Sequence, residues 1–215
     1  MNDKTTVENL DCLVGMFGTP DKYYDLAIVD VNYGIGVNKM QLGNGHRKVH
    51  RGSLDWDSDS PKPVYFTELM RVSKNQIIWG ANHFISKIPF DSSCWIVWDK
   101  GTGDNDFADC ELAWTSFTST VRKFFKSWVG ANAKERDDWD RIHPTQKPVA
   151  LYKWLLKNYA KEGDKILDSH LGSGSSRIAA FDMGYEFYGY ELDKDYFDAS
   201  VKRFEQHKSQ LKLFV

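Results

Sequence analysis

Six short apolar runs, separated by helical patterns, constrain this chain more than any other feature. They lie at 24–30 (YDLAIVD), 75–80 (NQIIWG), 94–99 (CWIVWD), 111–116 (ELAWTS), 165–169 (KILDS) and 187–192 (FYGYEL). Each is rich in Ile, Val, Tyr or Trp, the signature of a buried strand. Helical periodicity fills some of the gaps. TELMRV (67–72) precedes the second run. The stretch 147–160 sets Val149, Tyr152, Leu155, Leu156 and Tyr159 on one face and stops before Gly163. SSRIAAFDM (175–183) ends at Gly184, and 195–208 carries Phe197, Val201 and Phe204 on one stripe. Strands alternating with helices predict an α/β fold with a mostly parallel sheet.

The chain has 215 residues, enough for one domain with a stable core. Its net charge is -2, so any nucleic-acid surface must be a local patch. Cys12, Cys94 and Cys110 form no CxxC pair, which argues against a disulfide framework or a zinc site and for a reducing, cytoplasmic setting. No apolar run approaches the length of a membrane span. Of eight Trp, most should be core.

Two stretches carry chemistry. The first, KILDSHLGSGSSRIAA (165–180), is a strand, a Gly-rich turn and a helix start. Gly172 and Gly174 would let a ligand approach the backbone, and the following helix offers N-terminal amides. Glu191, at the end of the next strand, suits ribose hydroxyls. The pair points to a nucleoside-containing cofactor. No Lys follows the second glycine, as a P-loop requires, and Arg177 stands where a dinucleotide fingerprint wants glycine. Asp168, just before the turn, opposes a pyrophosphate and suits a cationic ligand. S-adenosylmethionine has an ammonium, a sulfonium and a ribose. The second stretch, DVNYGIG (30–36), ends the first apolar run with an acid, Asp30, and an aromatic, Tyr33. It predicts a sharp turn at a strand's carboxyl end, where open α/β sheets place their ligands.

DVNYGIG, HPTQKP (143–148) and DSHLGSGS (168–175) occur in that order. Together they resemble the amino-group DNA methyltransferases, the N6-adenine and N4-cytosine enzymes, in the permuted arrangement called the beta class. The resemblance implies a Rossmann-like S-adenosylmethionine-dependent methyltransferase fold, a mostly parallel twisted sheet with helices on both faces, circularly permuted. The third strand in fold order would then be the N-terminal VENLDC. It implies S-adenosyl-L-methionine as cofactor, held by Asp11, Thr145, Lys147, Pro148, Asp168, Leu171, Gly172, Ser173, Gly174, Ser175 and Glu191. Helix capping is the plainer role for Asp11. No metal is implied.

By the same resemblance DVNY (Asp30, Val31, Asn32, Tyr33) is the catalytic motif. Tyr33 would stack on a flipped base. The Asp30 carboxylate and the Val31 carbonyl would accept the two N–H groups of the exocyclic amine and aim its lone pair at the methyl. An acid at the first position favours adenine. The family's motif is usually Asp-Pro-Pro-Tyr; here Val31 and Asn32 replace both prolines. Packing must therefore hold the turn, and Asn32 can serve either the base or the turn. The departure leaves open a weak or inert relative that binds cofactor or DNA without turnover. N4-cytosine and RNA methylation are further alternatives.

DNA is the expected partner. Lys39, Arg47, Lys48 and Arg51 lie in a polar stretch without acids, and Arg122, Lys123 and Lys126 interleave with Phe124, Phe125 and Trp128. The expectation is a single methyltransferase domain over 1–215, with a short target-recognition insert at about 117–143. Such a short insert suggests a relaxed site or a homodimer, and the small size resembles a phage or mobile-element enzyme of restriction-modification type.

Overall fold

The computed structural model describes residues 3–35, 58–102, 108–127 and 141–211. Among them eight strands form one sheet: β1 (Thr5–Glu8), β2 (Tyr24–Asp30), β3 (Ser73–Trp79), β4 (Ile96–Asp99), β5 (Cys110–Thr115), β6 (Arg122–Phe125), β7 (Lys165–Asp168) and β8 (Glu186–Tyr190). Their order is β1-β8-β7-β2-β3-β5-β4-β6. Neighbours pair in parallel except β5, which runs antiparallel to both β3 and β4. The helices are α1 (Cys12–Phe17), α2 (Pro63–Val72), α3 (Val149–Tyr159), α4 (Ser175–Met183) and α5 (Lys194–Leu211). No helix among the described residues is long and apolar enough to cross a membrane.

The apolar runs are nearly continuous because both faces of the sheet are covered. Leu26 and Ile28 of β2, Ile77 and Trp79 of β3 and Ile166 of β7 pack with Leu155 and Leu156 of α3, Ile178 of α4 and Phe204 of α5. Ala27, Val29, Ile78 and Leu167 point the other way, onto Met16 of α1 and Phe66 and Leu69 of α2. Trp79, Trp98 and Trp114 are fully buried, as expected of most of the tryptophans.

Several boundaries differ from the sequence reading, each for a local reason. α2 begins at Pro63, four residues early, because proline's fixed φ and missing N–H suit a first helical position. The N-terminal strand ends at Glu8, and the DC of VENLDC instead caps and opens α1. The described part of the basic, aromatic segment contains a strand. Residues 122–125 pair with β4 as β6 at the sheet's edge, and Phe124 packs on Trp154 with ring centroids 5.6 Å apart.

The strand order creates the site. From β7 the chain moves outward to β8, and from β2 it moves the opposite way to β3. The adjacent strands β7 and β2 thus flank a topological switch point. Their carboxyl ends part to leave a crevice, and the two motifs quoted above sit at those ends.

Ile28 tests this architecture, because it is buried in the α3–α4 core two residues before Asp30. Ile28→Val should cost about 0.5–1.5 kcal/mol and Ile28→Ala about 2–5 kcal/mol. Urea unfolding should show falling midpoints with an unchanged slope. Equal midpoints for all three proteins would mean that β2 is not the central buried strand.

Candidate active site

A cavity of about 500 Å³ opens at this crevice. Its wall comes from the turn after β2, the turn after β7, the end of β8, the segment before α3 and the starts of α1 and α2, with Tyr152 of α3 and Tyr196 of α5. The residues of the first two motifs, more than 130 positions apart in sequence, therefore face one space.

At the β7 side the wall includes Leu171, Gly172 and Ser173. Glu191 lies opposite and is already engaged. Its Oε2 accepts the Gly172 N–H at 2.8 Å and its Oε1 the Asp193 N–H at 2.9 Å. Burial raises its pKa, and the backbone N–H groups only partly offset this. The carboxylate is thus held in place with lone pairs to spare. Asp11 lines the same end and also caps α1, accepting the Leu13 N–H at 2.8 Å. The capping role is seen, and the side chain that takes it also faces the cavity. Thr145 lines the cavity too, its Oγ1 3.1 Å from Nδ1 of His143.

Four predicted cofactor residues do not reach the cavity wall. Asp168 is buried beneath it, accepting from Ser176 Oγ at 2.5 Å and the His170 N–H at 3.0 Å. Burial pushes its pKa up to about 7. Gly174 is the N-cap of α4. Ser175 is buried behind it, 3.0 Å from the Arg203 guanidinium. Pro148 caps α3. These residues shape the turns that face the cavity rather than facing it themselves.

At the β2 side stands a compact charge cluster. The Lys147 side chain is 2% exposed, and its Nζ lies 2.5 Å from Asp30 Oδ1 and 2.9 Å from Glu111 Oε2. It also donates to the Tyr33 hydroxyl at 3.2 Å. That hydroxyl donates to Asp30 Oδ1 at 3.0 Å. Lys100 Nζ holds the other oxygen of Glu111 at 2.5 Å. Burial raises the Asp30 pKa against the pull of the Lys147 ammonium. Burial also acts to raise Glu111, but Lys147 and Lys100 outweigh it and hold this carboxyl at about 2. Lys147 is itself pushed up, because the two carboxylates overcome burial. Lys147 was expected at the cofactor. It does line the cavity, yet its ammonium is committed to the acid end of DVNY.

The turn is held without prolines. Val31 is buried in the α2-side core. The Asn32 side-chain amide donates to the Asp59 carbonyl, so it serves the turn. A Cβ on Gly34 (φ +74°) would come within 2.6 Å of the Ser60 nitrogen. Lys87 fixes that same segment, donating to Ser60 Oγ at 2.7 Å and to the Pro61 carbonyl at 3.0 Å. The Tyr33 ring rests on Gly80 (φ +70°), where a Cβ would lie 2.0 Å from Tyr33 Cε1, and stacks on His83 at 5.0 Å and 17°.

The predicted nucleic-acid residues that are described, Arg122, Lys123 and Lys126, are not part of this wall. Arg122 and Lys123 lie on the edge strand β6, and Lys126 follows it. Lys123 pairs with Asp99 at 3.2 Å. Lys39, Arg47, Lys48, Arg51 and Trp128 lie outside the described residues. The sequence reading missed Glu111, Lys100, Tyr65, His170 and Gln146. Gln146 is 3% exposed and accepts the Ile142 N–H at 3.1 Å. Tyr65, from α2, shares a 2.6 Å hydrogen bond with Ser169, whose Oγ lies 2.9 Å from His170 Nδ1. Burial lowers His170 to about 4, so this imidazole is neutral. A single acid opening an otherwise apolar strand was the one available signal for Glu111.

Comparison with known proteins bears on family and fold. The family model N6_N4_Mtase, described as DNA methylase, matches residues 71–202, more than half of the chain. Type II methyltransferase M2.DpnII of Streptococcus pneumoniae is 38% identical over 78 residues, 36% of this chain and 29% of that protein. The match thus spans under a third of that curated relative. Among solved structures, the M1.HpyAVI–SAM complex superposes with a TM-score of 0.60 at 18% identity, covering 93% of this chain and 98% of that one. The PvuII DNA methyltransferase (cytosine-N4-specific) superposes with a TM-score of 0.58 at 11% identity, covering 97% and 92%. At these identities the likeness is one of fold: a mixed α/β sheet like that of DNA methyltransferases.

The cluster predicts a pH-dependent cost for Lys147→Met. Removing the ammonium leaves two buried carboxylates without their shared counter-ion, at about 3–5 kcal/mol. Asp30, already raised, rises further above its unfolded value. A folded-state pKa above the unfolded one gives stability that is present at low pH and lost as pH rises. Denaturant unfolding should therefore show the larger deficit at about pH 8 and a smaller one at about pH 5. A deficit that grows toward acid would contradict the charge assignment.

Proposed function

Because the chain belongs to the DNA methylase family, we propose that it transfers a methyl group from S-adenosyl-L-methionine to the exocyclic amine of a base flipped out of DNA, with adenine N6 as the preferred target. The supporting observation is the single cavity shared by the turn after β2 and the turn after β7. The chain's residues fit the cofactor's chemistry. Glu191 and Asp11 suit hydroxyl and amine groups at one end, and the backbone at Gly172 allows close approach. S-adenosyl-L-methionine supplies an electrophilic methyl carried on a sulfonium. In this reading its strand, β7, comes late in the chain and the catalytic strand, β2, comes early, the permuted order.

The chain's own part is to position and polarise. Asp30 accepts one N–H of the target amine and the Val31 carbonyl the other. The two acceptors turn the nitrogen's lone pair toward the methyl. Tyr33 offers a ring held between its hydroxyl contacts and Gly80. With a base and cofactor in place, the aromatic and apolar lining would exclude water, which would strengthen these contacts. No covalent enzyme intermediate is required.

A second reading is favoured by one observation: the ammonium of Lys147 sits on the carboxylate meant for the amine. A relative that binds cofactor and DNA without turnover would have no need to free that carboxylate.

Methyl transfer separates the two. The protein would be incubated with methyl-labelled S-adenosyl-L-methionine and methylation-free genomic DNA, and the labelled nucleoside identified after digestion. N6-methyladenine is expected. N4-methylcytosine would correct the base, and cofactor binding without label would favour the second reading. Asp30→Asn should reduce transfer by about 10²–10³-fold with cofactor affinity little changed. Glu191→Ala should weaken cofactor binding, and an unchanged dissociation constant would remove Glu191 from the site.

A further inference from the structure

We propose that Glu111 is a positioning residue for methyl transfer, acting through Lys147 to hold the Asp30 carboxylate in one orientation toward the target amine. The inference rests on the function proposed above. Glu111 belongs to none of the three motifs. It comes from the antiparallel strand β5, separated from β2 by β3.

The geometry is a chain of fixed donors and acceptors. An ammonium has three donors. Those of Lys147 are matched by Asp30 Oδ1 at 2.5 Å, Glu111 Oε2 at 2.9 Å and the Tyr33 hydroxyl at 3.2 Å. Glu111 is in turn fixed from behind by Lys100 at 2.5 Å. Two carboxylates and two ammonium groups balance in charge. Asp30 Oδ1 takes both Lys147 and the Tyr33 hydroxyl. The carboxylate is therefore anchored through one oxygen, and its other oxygen is left to meet the amine. Without Glu111 the ammonium would keep a single carboxylate partner and lose its second anchor. The orientation of Asp30 would then depend on one contact.

Charges from every packed element bear on Asp30. Tyr33 is on its own turn, Lys147 precedes α3, and Glu111 is on β5 with Lys100 behind it. Asp168 on β7 and Tyr152 on α3 also interact with it electrostatically. Glu111 acts to raise the Asp30 pKa and Lys147 to lower it. Removing either charge thus moves Asp30 in a direction that a merely structural residue would not produce.

The test compares wild type with Glu111→Gln, which keeps reach and one acceptor but loses the charge. Three readouts are used: kcat and KM for DNA, the pH profile of kcat/KM, and direct titration of Asp30 by carbon-13 NMR without DNA. Glu111→Gln should lower kcat about tenfold, leave the dissociation constant for S-adenosyl-L-methionine within about twofold, and shift the acid limb and the Asp30 titration to lower pH. Lys147→Met, where it folds, should shift the titration the opposite way. Wild-type kcat in Glu111→Gln overturns the proposal. So does a lower kcat with an unmoved acid limb and titration, which would mark a structural role. An inactive wild type instead overturns the function itself, whatever the titration shows.

Discussion

The site depends on one buried ammonium. Lys147 is the residue at which the DVNY turn, the antiparallel strand β5 and the segment before α3 meet. A buried lysine is costly unless its charge is answered. Here two carboxylates answer it, one from β2 and one from β5, and their shared cation lets both remain close to each other. Remove the lysine and the acids repel. Remove either acid and the lysine leans on the other. The cluster therefore specifies more than it stabilises. It requires the carboxyl end of β2, the start of β5 and the HPTQKP segment to arrive at one point, although they are distant in sequence.

The same constraint explains how DVNY does without proline. Proline would fix φ and remove two N–H groups. This chain fixes the turn from outside. Val31 is buried in the α2-side core, Asn32 bonds to the Asp59 carbonyl, and Gly34 admits the backbone of Ser60. Tyr33 is then clamped at both ends, by Gly80 against its ring and by Asp30 and Lys147 at its hydroxyl. Rigidity that two residues would have supplied locally is spread over α2, the 59–61 segment and Gly80. The turn is thus more exposed to distant substitutions than a diproline turn.

What the sequence made legible follows from this. Continuous apolar runs announced the buried strands because burial on both faces leaves a composition trace. The helix end at Gly184 was legible because capping is local, whereas α3 stops at Tyr159 with Ala160 as its cap, short of the glycine at 163. The two halves of the cavity were legible as motifs, since turns that bring backbone close to a ligand demand particular residues. Glu111 and Lys100 were not, because their role depends on β5 running antiparallel beside β3, and no spacing in the sequence encodes that pairing. The ion pairs of Lys147 were hidden for the same reason. Its motif put it at the cavity, but only the register of β5 shows which charge it serves. The strand at 122–125 was hidden by its edge position, where one apolar residue, Phe124, packs and the rest face solvent.

The two ends of the cavity also divide the electrostatic work. At the β7 end, Glu191, Asp11 and Asp193 concentrate acidity, and backbone N–H groups hold Glu191 and Asp193. Three carboxyl groups gathered there suit a cationic ligand. At the β2 end every carboxylate has a lysine, and the cluster is neutral. A neutral, aromatic end suits an uncharged base with polar N–H groups. A cation bound at the first end and a base at the second would meet where β7 and β2 part. In the proposed function, the strand order would set where the reactants face each other, and the charge pattern which reactant goes to which end.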